Sequence, residues 1–203
     1  KQHRDAVADF SEAIANDENN PKHYQNRMAA YTELGMTDNA LADRSRIEWL
    51  LKLGQINNSV AQAPQKPEGY IQKASHLAEA GKHEIALVNF EQAIKVASDK
   101  AIPWTSRANY WLKQGDFSKA IADATKAIET EFSHPALSIR GDAYLQQGDF
   151  DKAIADFTAA KRLDSGVAQA YYQRALQRRQ KGDEAGSRAD YEAALQLDPQ
   201  VGQ

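Results

Sequence analysis

The side chains most able to do chemistry in this sequence are scattered. Its five histidines fall at positions 3, 23, 76, 83 and 134. None forms a His-Glu-x-x-His helix or any other cluster of metal-ligand spacing. The chain has no cysteine, which removes disulfides, thiolate metal sites and cysteine nucleophiles together. Serines and carboxylates are plentiful, but none is coupled by spacing to a histidine in the manner of a nucleophile and its base. Glycines occur singly, not in a loop able to cradle phosphate. The expectation is a chain without catalytic residues, metal or other cofactor. Asn57-Asn58-Ser59 matches a glycosylation acceptor, a tripeptide that arises often by chance.

Charged residues are more informative. Arg174, Arg178, Arg179, Lys181 and Arg188 cluster near the end of the sequence and could meet an anionic partner. Arg174, however, belongs to a series. Arg27, Arg107, Arg140 and Arg174 are followed sixteen residues later by Asp43, Asp123, Asp156 and Asp190. Where arginine is replaced by Lys73, the acid is missing too, and Asn89 stands there. Matched gain and loss at fixed spacing predicts a charge-assisted contact between two elements of one structural unit, a brace and not a binding site.

The elements that carry this series repeat. Gly81, Gly115, Gly148 and Gly182 recur at intervals of 33 or 34 residues, and Gly35 is the same turn offset by about a dozen. Upstream of each comes a bulky residue (Tyr24, Tyr70, Trp104, Leu137, Tyr171), then the basic site three later, then usually a small residue. Downstream comes an alanine (Ala40, Ala86, Ala120, Ala153; Ser187 is the exception), a second bulky site (Phe90, Phe157, Tyr191) and another alanine (Ala93, Ala127, Ala160, Ala194). Apolar residues at three-to-four spacing on both sides of a glycine predict two amphipathic helices joined by a tight turn. Asp116, Asp149 and Asp183 suit the start of the second helix, and Pro21, Pro67, Pro103 and Pro135 the first turn of the first.

A 34-residue unit with these aromatic, glycine and alanine sites resembles the tetratricopeptide repeat (TPR) family. The run Arg140 to Asp156, with Gly148-Asp149-Phe150 followed by Lys152-Ala153-Ile154-Ala155-Asp156, is the nearest match. Arg44 and Ala124 at the second bulky site, Arg178 at an aromatic one, and Glu18 and Ser165 at unit ends depart from the pattern. The resemblance implies an all-α fold, a right-handed superhelical α-solenoid of antiparallel helical hairpins.

Residues 1–20 read as the second helix of an incomplete repeat, with Ala6, Phe10 and Ala13 on one face. Full repeats follow at 21–54, 67–100, 101–133, 134–167 and 168–201. The insertion 55–66 either lengthens the preceding helix and adds a loop within one continuous superhelix, or forms a partner-binding loop. Entry in mid-hairpin and an ending at Pro199-Gln200-Val201-Gly202-Gln203 without a covering polar helix suggest a fragment of a longer protein.

Composition narrows the partners. With a net charge of −3 and a pI near 6.0, the chain lacks the positive excess expected of a nucleic-acid binder. Its apolar runs are far shorter than the roughly 20 residues that span a bilayer, so no membrane insertion is expected. The compartment stays open, with the cytoplasm as the working expectation. The resemblance implies a non-catalytic scaffold or adaptor that holds a polypeptide segment on the concave face formed by the first helices. The alternative is the substrate-recruiting part of a larger enzyme whose catalytic domain lies outside this chain. A helical-repeat RNA binder is disfavoured by the charge and by the Gly-Asp-Phe turns, and self-association through uncovered array ends is a further expectation.

Transferred by place, the resemblance implies a peptide groove that includes Gln25, Asn26, Gln72, Ser75, Thr105, Asn109, Ser138, Asp142, Tyr172, Gln173 and Arg179. Amides can both donate to and accept from an unpaired peptide backbone, and Asn109 is the foremost of these. The clamp that grips acidic chaperone tails is incomplete. Asn26 fits one of its places, but Glu68 and Gln72 stand where a basic pair belongs, and Asn109 is accompanied by Thr105 and Ile139.

Overall fold

A computed structural model describes residues 2–203. Among these there are eleven helices and no strand: α1 Gln2–Asn16, α2 Pro21–Glu33, α3 Thr37–Gln62, α4 Pro67–Glu79, α5 His83–Val96, α6 Ala101–Lys113, α7 Phe117–Thr130, α8 His134–Gln147, α9 Phe150–Ala159, α10 Ser165–Gln180 and α11 Glu184–Leu197. They form two compact units, Lys1–Pro64 and Gln65–Gln203. The first contains α1 against the hairpin α2/α3. The second is a stack of four hairpins, α4/α5 to α10/α11, in which α6, α8 and α10 each pack on the hairpin before.

Every hairpin turns in the same way. At the end of α8, Gly148 has φ +79° and its N–H donates to the Leu145 carbonyl, while the Asp149 N–H donates to the Tyr144 carbonyl at 3.0 Å. This pair of hydrogen bonds closes the helix only if the first donor residue, here Gly148, is left-handed, a conformation that costs an L side chain roughly 1 kcal/mol or more. The same bond pair recurs at Gly35, Gly81, Gly115 and Gly182, which is why glycine marks the period. In the last three hairpins the next helix is then capped by aspartate, where the first two have Met36 and Lys82 without a side-chain cap. Asp116, Asp149 and Asp183 accept from the backbone N–H groups of Lys119, Lys152 and Gly186, meeting donors that the first turn leaves unpaired.

Size complementarity fills the space between paired helices. Phe157 is fully buried and lies so close to Gly141 that a Cβ there would come within 2.6 Å of its ring. In the first hairpin of unit 2, Phe90 packs with Ala74 and with Tyr110 of the next hairpin. Where Ala124 replaces the large residue, Trp104, Ile128 and Ile139 pack around an alanine cluster instead. In unit 1 the exchange runs the other way: Met28 takes the small site, Arg44 takes the bulky one and faces solvent, and Tyr24, Ile47 and Leu50 make the core.

The segment 55–66 lengthens the preceding helix, the first of its two readings: α3 runs on to Gln62, and residues 63–66 connect it to α4. The stretch 199–203 does not leave its neighbours bare. Val201 is buried with Ala168 and Ala194, and Gly202 lies against the Tyr172 ring, although Tyr191 stays 44% exposed.

Candidate functional site

The four arginine–aspartate pairs form, and they set the geometry from which the site is built. Arg107 Nε and Nη2 donate to Asp123 at 2.7 and 2.9 Å. Arg27, Arg140 and Arg174 hold Asp43, Asp156 and Asp190 in the same two-pronged way. The aspartates are buried, and their hydrogen bonds push each guanidinium above its ordinary value in spite of burial. These arginines are consumed inside the fold. In the hairpin that opens unit 2, Asn89 donates instead to the Ile85 carbonyl at 2.7 Å.

The brace reaches further than the sequence indicated. The third nitrogen of the guanidinium, Nη1, extends to the second helix of the preceding hairpin: Arg27 to Ser11, Arg140 to Thr125, and Arg174 to Asp151. Each of these three arginines therefore ties its own two helices together and ties both to the helix before, whereas Arg107 braces its own hairpin alone. The acceptors vary from serine to threonine to aspartate, so no single residue type marks them.

A cavity of about 160 Å³ opens in unit 2 between α4, whose hairpin lacks the brace, and α6, which Arg107 braces to α7. Its floor is apolar and comes from Phe90 and Tyr110, whose rings lie 5.4 Å apart. The Tyr110 hydroxyl faces His83 Nδ1 at 3.3 Å, and burial raises its pKa although Lys119 acts in the opposite sense. The walls are Ser75 and Ala78 on one side and Ser106 and Asn109 on the other, with Glu79, Lys113 and Gln114 at the rim. Asn109 and Ser75 are exposed, and among the described residues neither side chain has an intramolecular hydrogen bond. Ser106 donates to the Ile102 carbonyl, which leaves its oxygen free to accept. The cavity offers an amide and two hydroxyls around an aromatic floor, with one charge of each sign at the edge.

The other expected residues divide. Gln173 lines a second cleft with Leu145, Gln147 and Gln169, and Tyr172 and Arg179 line a third with Leu176 and Tyr191. Gln25 belongs to a groove in unit 1, where Asn26 is exposed nearby on the same helix. Gln72 is exposed outside any of these cavities, and Ser138 is half-buried outside them. Thr105 donates to the Ala101 carbonyl. Asp142 is held by Arg162 at 2.7 Å, so its carboxylate is engaged within the fold. Burial opposes the Arg162 charge, but Asp164 and Asp142 together raise its pKa. The aromatic floor is missed in the sequence, where Phe90 reads as a bulky packing site and Tyr110, directly after Asn109, is not singled out.

Arg178 and Arg174 of the basic cluster are tied to Asp190, while Arg179 and Arg188 are exposed. Among the described residues, no group of three or more His, Asp or Glu side chains is arranged to hold a metal ion. No helix among them is long and apolar enough to cross a membrane.

Comparison with known proteins agrees with this architecture. The family model described as tetratricopeptide repeat-like domain matches residues 16–180, and one described as tetratricopeptide repeat matches residues 168–201. No curated protein sequence matches significantly. Among solved structures the chain is similar to YrrB, described as a TPR protein with an unusual peptide-binding site, with 16% identity and a TM-score of 0.52 over 95% of this chain and 93% of that one. It is similar to the C-terminal part of a TPR repeat-containing protein from Cytophaga hutchinsonii, with 20% identity and a TM-score of 0.53 over 97% of this chain and 74% of that one. A structure of MamA gives 16% identity and a TM-score of 0.52, covering 88% and 92%. At these identities the likeness is one of fold.

Proposed function

Given that this chain belongs to the tetratricopeptide repeat-like family, and so is a protein-interaction module, we propose that it holds an extended polypeptide segment across the first helices of unit 2, centred on the cavity between α4 and α6. The carrying observation is Asn109: an exposed amide without an intramolecular partner, at the edge of a cavity floored by Phe90 and Tyr110. An amide carries a separate acceptor oxygen and donor nitrogen, so it can pair with both the N–H and the C=O of a strand-like peptide. The floor accepts one apolar side chain from that peptide, and Ser75 and Ser106 add polar contacts on both walls. Glu79 and Lys113 at the rim favour neither an acidic nor a basic segment. The reading as a scaffold or adaptor without catalytic residues of its own rests on the same features.

The test is selection of peptides from a random library by the whole chain, followed by calorimetry on the best binders. One backbone hydrogen bond in a shielded site contributes about 1–1.5 kcal/mol, so Asn109→Ala is expected to weaken binding roughly tenfold, with Ser75→Ala adding a smaller loss. Selected peptides whose affinity survives Asn109→Ala, Ser75→Ala and Phe90→Leu together would place the binding surface elsewhere.

A further inference from the structure

The face of α3 that points away from the core of unit 1 carries six exposed residues in sequence: Thr37, Leu41, Arg44, Glu48, Leu51 and Gln55. Their spacings are four, three, four, three and four, the alternation that keeps residues on one narrow stripe of a helix and forms the seam of a coiled coil. Leu41 and Leu51 are 53% and 50% exposed, and Arg44 and Glu48 pair with each other at 3.0 Å with both side chains about two-thirds exposed. In unit 2 the places equivalent to Arg44 hold Phe90, Ala124 and Phe157, all buried, and Tyr191, which is 44% exposed.

The stripe is symmetric about position 46. Reversed and laid against itself, it sets Thr37 opposite Gln55, Leu41 opposite Leu51, and Arg44 opposite Glu48. We propose that α3 is a self-association helix that pairs antiparallel with α3 of a second copy of this chain, each Leu41 meeting the other copy's Leu51 and each Arg44 meeting the other copy's Glu48. A parallel pairing would face Arg44 with arginine and Glu48 with glutamate, so charge selects the antiparallel form. A groove of about 510 Å³ lies beside the stripe between α2 and α3, lined by Met28, Ala40 and Ile47 as well as Leu41, and takes the incoming leucine. The seam runs about 15 Å from Leu41 to Leu51 at 1.5 Å per residue. With four leucines and four charges per stripe pair, the contact is a reversible one that responds to concentration and salt.

Sedimentation equilibrium of the full chain, loaded from about 1 μM to about 1 mM, is the test, since contacts this small form at the weak end of that affinity range. The expected result is a mass that rises with concentration from 22.5 kDa towards twice that value. Arg44→Glu and Glu48→Arg are each expected to weaken assembly at least tenfold. An equimolar mixture of these two variants, or the double variant Arg44→Glu/Glu48→Arg, is expected to restore it. All four positions changed are exposed or charge-swapped without loss of helix-forming residues, and circular dichroism checks that each variant keeps its helices. Because the chain has no cysteine, Leu41→Cys and Leu51→Cys report the register: oxidised together they should join to one another, and neither should join to itself. A constant 22.5 kDa over the whole range, single charge reversals that assemble like the parent, or Leu41→Cys linking to itself would each overturn the proposal.

Discussion

Arg140 grips Asp156 through Nε and Nη2, both at 2.8 Å, while its Nη1 donates to Thr125 of the preceding hairpin at 3.1 Å. One guanidinium thus fixes the separation of α8 and α9 and the position of α7 against them. Asp156 is 9% exposed and Arg140 20%, so neither can turn to water when its partner is removed. Arg140→Met is expected to cost about 3 kcal/mol, the lower end for breaking a buried pair, read as a drop in the urea midpoint. Arg140→Met/Asp156→Leu should cost less than the sum of the two single changes, because the penalty of an abandoned buried charge is counted in each single and absent from the double. Strict additivity would mean that the two side chains contribute independently.

Gly141 and Phe157 make a second dependent pair. With a Cβ at residue 141 placed 2.6 Å from a ring that is fully buried, Gly141→Ala forces the ring or the helices to move, at a cost of roughly 1–3 kcal/mol for overpacking. Ala175, at the equivalent place, faces Tyr191, which is 44% exposed and free to yield, so Ala175→Val should be milder. Thermal denaturation of the two variants side by side decides it: equal losses would show that the Phe157 contact is not what penalises Gly141→Ala.

Much of this was legible in the sequence because it depends on backbone rules and on the repeat. Gly148 must be left-handed, Asp149 must cap, and Arg140 must find Asp156 sixteen residues on; repetition in other units turns each coincidence into a pattern. What failed to show was what the repeats do differently. Thr125, Ser11 and Asp151 all receive an arginine Nη1, yet they differ in type. Asp142 looked free at a groove place because its partner Arg162 sits in the link between repeats, outside the repeated pattern. Ile56 and Val60 continue the apolar spacing of α3 past Leu53, and on them the lengthened helix, one of the two readings of 55–66, extends to Gln62. Of the groove, the polar rim was visible at Ser75 and Asn109. The floor was not, since an aromatic side chain that fills a core and one that floors a cavity occupy the same place in the repeat.

The end of α9 departs from the glycine rule. Lys161 has φ +56°, and its N–H and that of Arg162 make the same two bonds, to Thr158 and Phe157, that close α8 at Gly148. A lysine held left-handed carries a penalty of roughly 1 kcal/mol that glycine avoids. Lys161→Gly is therefore expected to stabilise the chain by up to about 1 kcal/mol, less the greater freedom of glycine in the unfolded state, and Gly148→Ala to destabilise it by a similar amount. Urea midpoints that move in the same direction for both would contradict this account.

Acid should act first on the caps. Asp116, hydrogen-bonded by the side chain and backbone of Lys119, and Asp149, likewise bonded by Lys152, have pKa values below the ordinary carboxylate range. Asp164 is lowered as well: burial works against its charge, but Arg162 and the backbone of Val167 and Gly166 outweigh it. A carboxylate that binds its proton more weakly when folded stabilises the fold above its unfolded pKa of about 3.9. That contribution is lost as pH falls through the lower folded value. Stability is thus expected to be level from neutral pH down to about pH 5 and to decline below it. Asparagine caps a helix about as well as aspartate but does not titrate. Asp116→Asn should therefore unfold close to the parent at pH 7 and lose less stability than the parent between pH 5 and pH 3, in urea titrations at matched ionic strength. A variant that falls as steeply as the parent would mean that Asp116 does not contribute to the acid response.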